Sequence, residues 1–213
     1  MDDAEVPSRP RGRPRGFDRD QALEAALRLF WSRGYEATSI SDLTAAMWIT
    51  PPSLYGAFGD KKQLFLEAVD RYQAKAGRFA FAALTEEPTA ERSIRRLMLD
   101  TVDFFTSEDN PKGCLVVLGA TNCATGSIDM FEALAGRRQL SAGAVMARIA
   151  AGQAAGELAE GADAEALADL VTGSLYGLAI KARDGEPRDR LKAGVEQLMR
   201  MWPRRAPASG ERL

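Results

Sequence analysis

Along most of the chain apolar residues return every three or four positions rather than every second, the spacing of helices that bury one face. The first clear stripe is Leu23, Ala26, Leu27 and Phe30, opposed by the polar positions Gln21, Glu24, Arg28 and Ser32. Asp18 stands where a carboxylate caps free backbone N–H groups, Gln21 follows as a capping-box-like partner, and Gly34 closes the helix. A second helix, two turns long, starts near Ser39, with Asp42 as acidic partner and Ile40, Leu43 and Met47 facing inward. After a break over 48–50, Pro51 and Pro52 fit only at a helix start, where missing N–H donors cost nothing, so the third helix spans 52–58. Gly59 and Asp60 then turn the chain into a long helix over 61–84, with Leu64, Phe65, Ala68, Val69 and Tyr72 on one face, which links two domains.

Five further helical stretches are predicted, over 90–106, 113–123, 128–156, 164–183 and 188–201. Pro88, Pro111, Gly126, Gly161 and Gly185 with Pro187 separate them. The expected fold class is all-α, with a three-helix head over 17–65 and a larger helical body over 66–205. Residues 1–16 are polar and rich in Pro and Arg, with no core-forming residues, and are expected to be a flexible basic arm; 206–213 is expected to be a loose tail.

Composition narrows the function. The 213 residues are 46% hydrophobic, enough for a real core, and the net charge is -2, so any affinity for nucleic acid has to come from local placement of charge. Two cysteines are too few for a disulfide framework, no leader pattern is present, and no apolar run approaches the length of a membrane span, so a reduced cytoplasmic location without membrane contact is expected. The chain has no histidine, which removes the commonest general base and the commonest metal ligand. With no phosphate-binding glycine loop and no metal-ligand spacing either, the expectation is a non-enzyme with no cofactor and no metal.

Two short helices joined by a three-residue break, the second opening on small residues, have the geometry that lays a recognition helix in the DNA major groove. Ser53 and the bare backbone at Gly56 allow close approach to base edges, Tyr55 offers a hydroxyl to a phosphate, and Lys61 and Lys62 add charge just beyond. An ordinary helical hairpin with surface lysines has the same pattern. The run G-Y-E-A-T-S-I-S-D-L over 34–43 and the run S-L-Y-G-A-F-G-D-K-K-Q-L-F over 53–65, however, resemble the TetR family of transcriptional regulators.

That resemblance implies a homodimeric, ligand-responsive regulator, a repressor released from a palindromic operator by a small apolar effector. Its partner helices would be those over 164–183 and 188–201. It carries DNA contacts over to Thr38 and Ser39 at the start of the second helix, Ser53 and Tyr55 in the third, and Lys61 at the start of the fourth. Pro51, Pro52 and Gly56 occupy reading positions that would tune which operator is chosen.

One position departs from the family pattern: the turn between the second and third helices usually carries glycine and here has Trp48. Either the indole packs on the head at negative φ, or the backbone is strained at positive φ. A ligand-binding or interaction protein with an impaired or nonspecific DNA-binding head is the alternative that Trp48 keeps open.

Arg9-Pro-Arg-Gly-Arg-Pro-Arg15 resembles an AT-hook, an extended basic segment that lies in narrow A·T minor grooves, and Arg11, Arg13 and Arg15 are its candidate contacts; a solvated basic tail is the plainer reading. In the body, Phe104, Phe105, Leu118, Met130, Phe131, Met146 and Tyr176 are candidate effector contacts, though such stripes also make plain cores. Cys114 and Cys123, on a straight helix over 113–123, would stand about 13 Å apart along the axis and out of phase, and could not bridge within it.

Overall fold

The computed structural model describes residues 16–121 and 124–205, and the architecture among them is helical. The elements are α1 (Arg19–Arg33), α2 (Ile40–Met47), α3 (Pro51–Phe58), α4 (Lys61–Glu86), α5 (Ala90–Phe105), α6 (Leu115–Leu118), α7 (Ile128–Ala154), α8 (Ala164–Arg183) and α9 (Arg188–Arg200). A 3-10 turn, Thr125–Ser127, precedes α7, and a lone antiparallel bridge joins Leu158 to Arg204.

Side-chain caps open most of these helices. Asp18 accepts from the backbone N–H groups of Asp20 and Gln21, and Thr50, Asp60, Thr89 and Asp163 cap α3, α4, α5 and α8 in the same way. Ser39 and Asp42 form the full reciprocal capping box at α2, worth on the order of 1 kcal/mol to so short a helix.

The predicted helix over 113–123 is corrected: among its described residues only Leu115–Leu118 is helical. Gly113 enters the segment at φ +82, and its backbone groups are drawn to tertiary partners. The carbonyl of Gly113 accepts from the Trp31 indole at 3.0 Å, that of Val116 accepts from Arg138 at 2.8 Å, and that of Gly119 accepts from the Tyr35 N–H at 2.7 Å. The distance argument for the two cysteines therefore loses its straight helix; Cys123 lies outside the described residues.

The body is built around α5, whose Ile94, Met98 and Val102 are fully buried and against which α4, α7, α8 and α9 pack. Each such side chain is worth roughly 1.5–3 kcal/mol of burial. Two aromatic clusters order the first four helices and join them to the body. One, Phe30, Tyr35 and Phe65, packs those helices on one another; in the other, at the seam itself, the Trp31 and Tyr72 rings meet edge to face with centroids 4.6 Å apart and Phe104 of α5 stacks on the Trp31 indole. Polar ties follow the same seam: Arg28 to the Asp109 carbonyl at 2.7 Å, the Ala124 N–H to Glu36 at 3.1 Å, and Lys62 to Asp129 at 2.8 Å.

Candidate DNA-binding interface

α3 is held from behind and bare in front. Leu54 and Phe58 are buried on a helix that packs against α2 and α4, while Thr50, Pro51, Pro52, Tyr55 and Gly56 are exposed. Two prolines in the first turn remove N–H donors that would otherwise need partners, and the Thr50 hydroxyl caps the next free one at Ser53. Ser53 also shares a 3.0 Å hydrogen bond with the Thr50 hydroxyl, which fixes its rotamer at the start of the exposed face. Tyr55 is 50% exposed, and a methyl group added at Gly56 would meet nothing within 4 Å, so the middle of α3 offers an open approach to a groove floor.

The far end of α3 is pinned by Arg19, a residue the sequence pattern did not single out. Its guanidinium lies 4.3 Å from the Phe58 ring centroid, donates to the Ala57 carbonyl at 3.2 Å, and pairs with Glu67 at 2.8 Å. The general signal that could have found it is an arginine in the first turn of α1, where the helix dipole disfavours it unless tertiary partners repay the cost.

Other predicted positions are distributed differently. Thr38 is 0% exposed and donates its hydroxyl to the Gly34 carbonyl at 2.7 Å, so its side chain does not reach the surface. The expectation that it touches DNA is corrected: it bridges the α1–α2 turn, because a buried hydroxyl needs a partner and the free carbonyl at the end of α1 supplies one. Ser39 is exposed beside it, its hydroxyl engaged with Asp42. Lys61 rests its ammonium 4.2 Å from the centroid of the Tyr35 ring, where burial pushes its pKa below the ordinary value and Glu36 partly restores it. Lys62 is turned away, bound to Asp129 and to the Gly126 carbonyl, and serves the seam with the body rather than the exposed face of α3.

Trp48 takes the strained alternative. Its φ of 56° and ψ of 41° are left-handed, the only positive φ of a non-glycine among the described residues. The Ile49 N–H bonds the Thr44 carbonyl and the Trp48 N–H bonds the Ala45 carbonyl, the paired closure of a Schellman turn. The turn geometry that glycine would give is thus intact, at a cost of roughly 1–2 kcal/mol for the left-handed backbone. The indole recovers little of it, being 92% exposed.

Arg11, Arg13 and Arg15 lie outside the described residues. The effector candidates do not converge on one open site. Phe105 and Met130 are buried, Phe131 is exposed, and Phe104 belongs to the aromatic seam with Trp31, Tyr72 and Phe79. Leu118, Met146 and Tyr176 are half-buried. Cys114 is buried and accepts a hydrogen bond from the Tyr72 hydroxyl at 3.2 Å; burial pushes its thiol pKa up, away from the reactive thiolate. A groove of about 660 Å³ runs instead between α8 and α9, lined by Ser174, Gly177, Lys181, Gly194, Gln197 and Leu198 among others. None of the seven candidates lines it. No described helix is long and apolar enough to cross a membrane.

Short capped helices with a tight left-handed turn, and a second helix uncovered on one side, define a helix-turn-helix protein of the kind that regulates transcription. Residues 22–68 match the profile of the bacterial regulatory proteins of the tetR family. The HTH-type transcriptional repressor ComR of Escherichia coli (strain K12) is 32% identical over 203 residues, 95% of this chain and 97% of ComR. BdcR, another HTH-type transcriptional repressor of the same strain, is 31% identical over 112 residues, 53% of this chain and 57% of its own. Among solved structures, a cysteine mutant of the TetR family transcriptional regulator CifR, complexed with 26-bp double-strand operator DNA, is 44% identical. It superposes with a TM-score of 0.86, covering 90% of this chain and 100% of that one. The chain belongs to the TetR family of transcriptional regulators.

Proposed function

We propose that this regulator is a homodimeric repressor in which α3 of each protomer reads one half-site of a palindromic operator. The observation that carries this reading is the uncovered face of α3, with Ser53, Tyr55 and Gly56 presented on a helix whose other side is anchored by Leu54, Phe58 and the Arg19 clamp. Pro51 and Pro52 sit at its entry, where they set which base edges the helix can approach, and Lys61 adds charge beyond its end. The operator complex of CifR, at 44% identity, supports a DNA duplex as the partner. The head is assigned to 17–65, the body to 66–205, the arm to 1–16 and the tail to 206–213. In the arm, Arg11, Arg13 and Arg15 add minor-groove contacts beside the head.

Dimerisation is assigned to α8 and α9. Both pack on α5 and leave a groove between them, and Leu170 and Ile180 of α8 stand exposed. A second copy's helices, laid against these faces, would cover those side chains and the glycines Gly177 and Gly194. The effector is a small, largely apolar molecule held in the body. It releases the operator by favouring one spacing of the two heads, since a ligand shifts an equilibrium only through different affinities for its states. The protein works in the cytoplasm as a regulator and not as an enzyme.

A gel-shift assay on duplexes selected by the protein from a random-sequence pool tests the central claim. Discrete retardation, with a palindrome enriched and about two protomers per duplex by light scattering, is the expected result. Salt-sensitive smearing on every duplex would reject the specific reading in favour of a nonspecific head.

A further inference from the structure

Trp48 is the residue that the fold itself does not explain. It occupies a left-handed position that a glycine would fill without strain, and it exposes 92% of its surface to solvent, so it contributes neither backbone ease nor burial to the free protein. It precedes Thr50, the cap of α3, by two residues, and so stands beside the exposed entry of that helix. The left-handed backbone turns the side chain out from the α2–α3 corner instead of folding it back over Leu43 and Met47, which are buried without it.

We infer that Trp48 is a DNA contact: its indole lies on the sugar-phosphate backbone flanking the groove entered by α3, with Nε1–H donated to a phosphate oxygen and the ring packed on deoxyribose. An indole suits that place because it pairs a flat apolar face with one donor and no acceptor, so it meets sugar and phosphate without repelling the phosphate charge. Proline at both Pro51 and Pro52 removes two backbone donors from the start of α3, the end that elsewhere supplies N–H groups to phosphates. The exposed indole supplies an N–H donor two residues before the cap of that helix. A contact of this kind positions the protein and carries no base information. The inference rests on the DNA-binding reading above.

The test uses the full-length protein, a fluorescein-labelled duplex selected from a random pool, and a scrambled duplex of the same length. Trp31 and Trp202 are 2% and 5% exposed, so acrylamide, a neutral quencher unaffected by the DNA's charge, reaches chiefly Trp48 in the free protein. Binding, read independently by fluorescein anisotropy, should abolish most of that quenching. Trp48→Gly should melt about 2–4 °C higher and bind both duplexes more weakly by the same factor, about 5- to 10-fold. Trp48→Phe keeps the ring and removes the donor; a loss equal to that of Trp48→Gly assigns the contact to Nε1–H, and a smaller loss assigns the remainder to ring packing. If the duplex binds, acrylamide access is unchanged and both variants bind within twofold of the parent, the inference is overturned while the DNA-binding reading stands. If no duplex is retained from the pool, both fall.

Discussion

Arg183, the last residue of α8, donates from Nη1 to the carbonyl oxygen of Trp31 at 3.1 Å and from Nη2 to the neighbouring carbonyl of Ser32. These are free carbonyls at the end of α1, and a cation there also complements the helix dipole. One side chain thereby ties the helix assigned to dimerisation to the helix that clamps α3. Arg183→Ala is expected to cost about 1–2 kcal/mol, given charged hydrogen bonds on a partly exposed side chain. Urea unfolding measures this. Stability within about 0.3 kcal/mol of the parent would mean that the tie carries no load.

Thr38 and Tyr55 separate stability from binding. Thr38→Val keeps the shape but leaves the Gly34 carbonyl without its 2.7 Å partner, so stability should fall by about 1 kcal/mol with DNA affinity unchanged well below the Tm. Tyr55→Phe should do the opposite, weakening DNA binding about 5-fold with an unchanged Tm. Paired melting curves and anisotropy titrations decide. A DNA defect in Thr38→Val at full stability would reinstate that side chain as a contact.

Glu24 gives the head an acid limb. Burial alone would raise its pKa, but hydrogen bonds from Lys75 and Arg71 outweigh that, and the net shift is downward. A carboxylate depressed in the folded state stabilises above its unfolded pKa of about 4.3 and loses that stabilisation as the pH falls through the folded value. Glu24→Gln should therefore melt below the parent at pH 7, and the gap should narrow below about pH 4. A gap that stays constant down to pH 3 would assign the effect to packing instead.

Gly177 tests the dimer face without disturbing the protomer. A carbon added there meets nothing within 4 Å of its own chain, yet the residue lines the α8–α9 groove. Gly177→Tyr is expected to keep the helical circular dichroism and shift the molecular mass by light scattering from dimer to monomer. An intact dimer would move the interface elsewhere.

Deleting residues 1–16 removes four arginines between positions 9 and 15 and should both weaken DNA binding and flatten its salt dependence. Each lost phosphate contact lowers the log–log slope by about 0.9. Identical slopes for the two proteins would leave the arm outside the interface.

The first four helices were legible before the structure because their signals are local. Asp18, Ser39, Thr50 and Asp60 satisfy free N–H groups within their own first turns, and the paired prolines allow no other reading. The segment over 113–123 misled for the opposite reason. Its apolar run, Cys114 to Leu118, has helical character, but its carbonyls are claimed by Trp31, Tyr35 and Arg138 from distant parts of the chain. The candidate interface divides in the same way. Ser53, Tyr55 and Gly56 could be placed from the periodicity of α3, whereas Thr38 is exposed or buried according to how α1 and α2 pack.

Sequence alone determined an all-helical chain with a helix-turn-helix near its start, since capping, proline placement and periodic burial act over a few residues. Only the tertiary structure decided that Arg19 clamps α3, that Lys62 faces the body, and that Trp48 holds a left-handed turn with its indole in solvent. Each of these depends on which atoms from remote segments come within hydrogen-bonding or van der Waals reach, and that information is created only when the helices pack.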